Sequence, residues 1–281
     1  MGKNNMPSAE YYIQALEGSN KTTEKAIRSA IRELGLFDEC RVLDIPCGIG
    51  SHALWMLEEN PSIIITGIDV SEEHLEYARN LVQQKEGQKQ TVFIKKDINK
   101  LDFSDNSFDF IWCCDGLWQG PAEMGCVSTE PYNILASMSR ITKPGGKIAV
   151  LFWSYQKLLP GYPMLETALN ATVSANRPFI PGANPELHFM RTPLWLKKTG
   201  LVNIKTQTFP ADIQGPLNIQ AKNYLQMFFN MFWGRAEKEV TPEVWKQYRE
   251  LTSPDFGDYI LGRDDYAGFI TYTMFSGEVK K

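Results

Sequence analysis

The chain has no uninterrupted apolar run long enough to span a bilayer, which rules out a helical membrane span as its organising feature. It also lacks a Lys/Arg block. Its net charge is −4, so nothing advertises a nucleic-acid or membrane-surface footprint. The opening Met1-Gly2-Lys3-Asn4-Asn5 carries no signal-peptide apolar region, and Met6 stands where a myristoylation signal has Ser or Thr. Cysteines are few and odd in number (Cys40, Cys47, Cys113, Cys114, Cys126), with no C-x-x-C spacing. Reduced thiols in a cytoplasmic protein are the expectation, not a disulfide scaffold. His and Cys never fall at ligand spacing, so no metal site is expected.

What is present is ample material for a core: 281 residues, 43% hydrophobic and 12% aromatic, enough for one or two domains. The organising stretch is Arg41-Val42-Leu43-Asp44-Ile45-Pro46-Cys47-Gly48-Ile49-Gly50. An apolar run breaks into a turn with two glycines and then into a helix-compatible segment, Ser51 to Glu59. That is the strand–glycine loop–helix pattern of a nucleotide site in a parallel α/β sheet. Gly48-x-Gly50-x-x-Ala53 alone leaves NAD or FAD open. Asp44, at the strand's carboxyl end, would repel a pyrophosphate resting on the helix N-terminus. It would attract the sulfonium and ammonium of S-adenosylmethionine.

Residues 8–35 read as helical, with Ile13, Leu16, Ala26, Ile27, Ala30, Ile31 and Leu34 at helical spacing and Gly35 as a stop. Tyr11 and Tyr12 sit where such helices could fold over a ligand or simply pack at the surface. Ser62 to Asp69 is a second buried strand, ending in an acid 19 positions beyond Gly50, a spacing that lets a carboxylate reach ribose hydroxyls. Ser71 reads as the N-cap of the next helix, with Glu72 and Glu73 in its first turn and His74 at the surface. Thr91 to Asp97 is a third strand; Asp97 either accepts the adenine amine or caps a turn, and Ile98 could pack on the base. Phe108 to Cys114 is a fourth strand, with Asp115-Gly116-Leu117-Trp118 leaving its end. A helix with Ile134, Leu135, Met138 and Ile141, a breaker turn Lys143-Pro144-Gly145-Gly146, and a fifth strand to Trp153 follow. These alternations predict an α/β, doubly wound, parallel sheet.

The order and spacing of these elements resemble the class I S-adenosylmethionine-dependent methyltransferases, in the branch similar to ubiquinone/menaquinone-biosynthesis methyltransferases. The resemblance rests on Val42-Leu43-Asp44-x-x-Cys47-Gly48-x-Gly50, Gly67-Ile68-Asp69-x-Ser71, and Asp97 with the run from Leu101 to Asp109. Lys143-Pro144-Gly145-Gly146-Lys147 closes the set, which covers residues 41–153. It implies a Rossmann-like, seven-stranded sheet in the order 3-2-1-4-5-7-6 with only the last strand antiparallel, N-terminal helices and helical lid insertions. Val202 to Phe209 and Phe269 to Phe275 are the candidates for strands six and seven. By position it implies S-adenosyl-L-methionine as cofactor, released as S-adenosyl-L-homocysteine. The methionine part would lie on the Asp44–Gly50 loop (Asp44, Pro46, Cys47, Gly48, Gly50), the ribose by Asp69 and Val70, and the adenine by Asp97 and Ile98. Cys114, Asp115 and Trp118 would flank the sulfonium, with Tyr12 nearby. Pro46 departs from the family's usual glycine, so the loop must tolerate φ near ~−65° there.

The expected organisation is a single domain over residues 1–281, with a helical cap at 1–40, a cofactor core at 41–153, and substrate-covering insertions at 154–201 and 212–265. Both insertions are rich in large apolar residues, and the Tyr224–Trp233 run is apolar almost all round, so it should be buried. Such residues either pack the core or line a pocket for a planar or lipophilic acceptor. Methyl transfer needs mainly placement. If a general base helps, His188 is the first candidate, followed by Asp115, Tyr155 and His52. The expected partner is a small-molecule acceptor, with a homodimer conceivable. The rivals are an NAD(P)- or FAD-dependent oxidoreductase and a non-catalytic S-adenosylmethionine-binding protein. A remoter one is an arsenite methyltransferase using Cys113, Cys114 and Cys126, against the plainer reading of small buried residues.

Overall fold

The computed structural model describes residues 9–83, 88–119, 131–179 and 181–281. Short β-branched and aromatic runs form seven strands: β1 (Arg41–Asp44), β2 (Ile64–Asp69), β3 (Thr91–Lys95), β4 (Phe108–Cys114), β5 (Thr142–Lys157), β6 (Val202–Gln214) and β7 (Ala267–Glu278). They lie in the order β3-β2-β1-β4-β5-β7-β6. β1 pairs in parallel with β2 and β4, β2 with β3, and β4 with β5; β7 alone runs antiparallel, to both β5 and β6. The switch point lies between β1 and β4, where open α/β sheets place their ligands.

Alternation along each strand divides the core between two faces. Val42, Ile65, Phe110 and Trp112 face a layer built by α1 (Ala9–Leu34), α2 (Ser51–Glu59) and α3 (Glu72–Val82). Leu43, Ile68, Ile111 and Val150 face α4 (Pro131–Ile141) and α6 (Thr192–Lys198). A third core gathers beyond β5 from α5 (Pro163–Asn170), α7 (Ile219–Trp233) and α8 (Pro242–Thr252), with Leu158, Tyr266 and Ile270. Several of its buried polar groups are paired. Tyr266 Oη donates to the Leu158 carbonyl (2.9 Å), Tyr248 Oη to the Phe229 carbonyl (3.1 Å) and Trp233 Nε1 to Asn170 Oδ1 (2.8 Å). Buried Glu166 accepts from the Leu158 amide at 2.6 Å and lies 3.4 Å from Lys157 Nζ.

Several expectations need correction. The leading segment is one helix of 26 residues within the described chain, not several. Lys143-Pro144-Gly145-Gly146 does not end an element. It bulges inside β5, whose register against β4 jumps from Phe108↔Thr142 to Phe110↔Lys147. β6 and β7 are also longer than the apolar runs suggested, because mutual pairing carries their polar ends. The Tyr224–Trp233 run is not buried all round: Leu225, Phe228, Phe229 and Trp233 turn inward while Met231 is 61% exposed. No helix of the described residues is long and apolar enough to cross a membrane.

α1 lies across the sheet and touches both neighbouring layers. A Cβ on Gly18 would stand 2.1 Å from the ring of Tyr224 on α7, so the two helices meet there without room for a side chain. At its other flank Glu17 accepts from the Tyr77 hydroxyl of α3.

α2 starts at Gly50 in the left-handed region (φ 80°), and a Cβ there would lie 2.6 Å from that of Ala78. Gly50→Ala should therefore lose about 1–3 kcal/mol of stability. In urea unfolding this appears as a lowered midpoint with the slope unchanged.

Candidate functional site

The ends of β1, β2 and β4 converge, and each ends in or next to an acid. Asp44 closes β1 and is 0% exposed. Among the described residues, neither of its carboxylate oxygens has a hydrogen-bond partner. Burial, with the nearby charge of Asp69 adding to it, pushes its carboxyl well above the usual carboxylate range. A buried acceptor pair left unsatisfied in this way is costly, and a positively charged ligand group would satisfy it.

Asp69, closing β2, is the opposite case. Its Oδ2 accepts from the Gly48 amide (3.0 Å) and its Oδ1 from the Ser71 amide (2.9 Å), with His74 Nδ1 at 3.3 Å. Burial would raise this carboxyl, but the donors from His74, Ser71 and Gly48 carry it below the usual range. The same contacts fix the glycine loop against the end of β2, aided by the Cys47 amide donating to the Ile68 carbonyl at 2.8 Å. Gly67 must lack a side chain, since a Cβ would sit 2.5 Å from the Phe93 ring and 3.1 Å from Cys47. Pro46 packs against Gly116, where a Cβ would stand 2.2 Å from the proline Cδ.

Asp115 follows β4 with φ 52°, in the left-handed region uncommon for a residue with a side chain. Its Oδ1 accepts from Trp118 Nε1 (2.9 Å) and the Trp153 amide (3.0 Å), and its Oδ2 from the Tyr272 hydroxyl (2.7 Å). Burial raises its carboxyl and these donors partly offset that. Three donors on one carboxylate tie the end of β4 to β5 and β7.

The other expected residues fall in different surroundings. Tyr12 is half exposed and stacks on the His74 ring. Burial and the charges of Asp69 and Asp115 raise its phenol. Val70 is 62% exposed and Ile98 is buried. Asp97 Oδ1 accepts from both the amide (2.8 Å) and the side chain (2.9 Å) of Asn99, so it does cap a turn. Cys114 is buried, and Trp118 packs edge-on to Phe152 (5.1 Å) and against Phe189 (5.1 Å).

The residues expected as bases lie in different settings. His188 accepts the Met190 amide on Nδ1 (3.3 Å), and its ring is wedged between Phe179 and Phe189. Tyr155 is 48% exposed, with its ring against Phe269 and Lys157. His52 accepts from Trp112 Nε1 (3.3 Å), and burial lowers its pKa to about 4. Burial pushes the thiols of Cys113 and Cys114 up, away from the thiolate that arsenic chemistry requires. Cys126 and the side chain of Tyr11 lie outside what the structure describes.

Two residues escaped the sequence reading. His74, expected at the surface, is instead turned back onto Asp69, its side chain only 12% exposed. Tyr272, a mid-strand aromatic 157 positions from Asp115, gave no local signal at all.

The acids and the glycine loop thus converge at the switch point of the sheet. A family model described as a methyltransferase domain matches residues 36–198, more than half of the chain, and the chain belongs to that family, within the class I S-adenosylmethionine-dependent enzymes. Among curated relatives it is 30% identical over 110 residues to 27-O-demethylrifamycin SV methyltransferase of Amycolatopsis mediterranei, covering 39% of this chain and 37% of the relative. It is 35% identical over 129 residues to demethylmenaquinone methyltransferase of Listeria monocytogenes, covering 45% and 50%. The chain thus spans half or less of the length of these relatives. Solved structures share the fold. Phosphoethanolamine N-methyltransferase 2 of Haemonchus contortus, in complex with S-adenosylhomocysteine, has a TM-score of 0.56 at 16% identity, covering 99% of this chain and 60% of that one. The YcgJ protein of Bacillus subtilis has a TM-score of 0.53 at 18% identity, covering 92% and 99%. The [4+2]-cyclase SpnF has a TM-score of 0.55 at 17% identity, covering 97% and 95%.

The orphaned carboxylate makes a pH-dependent prediction. The unfolded chain ionises Asp44 near its ordinary value of 3.8, whereas the ligand-free fold resists ionising it. The unfolded state then holds fewer protons, and stability falls as pH rises above about 4. Asp44→Asn should stabilise the ligand-free protein by about 1–3 kcal/mol at pH 7, with the gain shrinking toward pH 4. Thermal unfolding of both proteins across that range reads the difference.

Proposed function

We propose that the protein transfers a methyl group from S-adenosylmethionine to a small, apolar or planar acceptor by in-line displacement. The observation carrying this reading is the unpaired, fully buried Asp44 beside the Gly48–Gly50 turn. Two carboxylates in each other's field, Asp44 and Asp69, disfavour the pyrophosphate of a dinucleotide and favour a donor bearing positive charge. When bound, the donor supplies a methyl group on a positively charged sulfur. Asp44 and the glycine loop would hold its methionine end, Asp69 its ribose, and Ile98 with Asp97 its base. Cys114, Asp115 and Trp118 would flank the reacting end.

The acceptor side is built of aromatic rings. Trp153, whose amide is bonded to Asp115, packs edge-on to Phe228 (5.0 Å) and lies 5.2 Å from Phe232 and 6.0 Å from Tyr272. Such a corner suits a planar or lipophilic molecule. The names of the relatives, one acting on a demethylrifamycin and one on a demethylmenaquinone, support a small-molecule acceptor. With Asp115 held by three donors and His188 Nδ1 engaged by the chain, orientation of the acceptor is the main catalytic device, not a strong base. The free, buried thiols of Cys40, Cys47, Cys113 and Cys114 support a reducing, cytoplasmic setting.

Calorimetric titration with S-adenosylhomocysteine and with NADH tests the reading. Micromolar binding of the homocysteine form is expected, weakened at least tenfold in Asp69→Ala. Binding of NADH alone would return the site to a dinucleotide.

A further inference from the structure

α3 begins with the Ser71 side chain accepting from the His74 amide (3.2 Å). That cap turns the His74 ring back over the end of β2, where Nδ1 lies 3.3 Å from Asp69 Oδ1. A carboxylate only accepts, so the contact places the proton on Nδ1. The face of the same ring carries Tyr12 of α1, with centroids 5.4 Å apart and planes inclined by 11°. The neighbouring turn of α1 sets Leu16 over the donor loop, close enough that a Cβ on Gly48 would lie 3.8 Å from its Cδ1. Count the acceptor positions on Asp69. Oδ1 is filled by Ser71 and His74, and Oδ2 takes the Gly48 amide, so Oδ2 retains room for one ligand hydroxyl.

From this arrangement we infer that His74 is a positioning residue for the donor's ribose, acting through Asp69, and that its ring is the surface on which Tyr12 seats α1 over the donor site. The inference rests on the donor assignment made above. Without the Nδ1–H donor, Oδ1 keeps only the Ser71 amide and Oδ2 the Gly48 amide, so the carboxylate loses its one side-chain restraint and is held less firmly toward the ribose. Without an aromatic ring at 74, Tyr12 loses its stacking partner while Asp69 keeps its orientation. The two roles separate by substitution. His74→Phe preserves the ring and removes the donor, and His74→Met removes both. His74→Asn keeps an N–H donor near the Nδ1 position and removes the ring.

The test is calorimetry with S-adenosylhomocysteine on these three variants, joined to steady-state kinetics with S-adenosylmethionine. His74→Phe and His74→Met are expected to bind about tenfold more weakly, and His74→Asn within about threefold of wild type. The kinetic counterpart is a raised KM for the donor with kcat unchanged. Equal losses in His74→Phe and His74→Asn, or wild-type affinity in His74→Phe, would overturn the positioning role alone. Failure of the wild-type protein to bind S-adenosylhomocysteine would overturn the donor assignment and this inference with it.

Discussion

The bond from the Gly48 amide to Asp69 ties the loop after β1 to the end of β2, and the rest of the site depends on that tie. It holds the glycine turn at the sheet's switch point. It also keeps two carboxylates close enough to raise each other's cost of ionisation in the case of Asp44, while the second is relieved by three donors. One acid is thus satisfied by the protein and the other is left without a partner among the described residues. On the proposed reading, that asymmetry favours a cationic donor over a phosphate-bearing one.

A second knot lies across the site. Asp115 gathers donors from the residues after β4, from β5 and from β7, so the antiparallel strand becomes part of the functional wall and not merely the sheet's closing element. Its left-handed backbone is the local cost of aiming one side chain at three elements. Trp153, pinned by its own amide to this carboxylate, then presents its ring to the α7 aromatics. On the proposed reading, donor side and acceptor side are therefore built from adjoining residues of the same strand ends.

Much of this was legible locally. The bounds of α2 and β4 were readable because a glycine turn, an apolar run and a turn cluster lie next to one another in the chain. Asp44, Asp69 and the Ser71 cap followed from strand-end spacing. What was not legible depends on partners distant in sequence. The Lys143–Gly146 bulge looks like a turn until β4 pairs on both sides of it. His74 looks like a surface residue until α1 and Asp69 close over it. Tyr272 carries no signal before β7 is placed. Aromatic richness in the late insertions predicted burial but not its direction, and so missed the exposed Met231.

Gly18 and Tyr224 touch where no side chain fits, and Glu17, one residue away, is bonded to Tyr77. α1 is thereby braced between α3 and α7 at neighbouring residues. A shift of this helix would strain both contacts at once, and at Gly18 the tolerance is that of a backbone without a side chain.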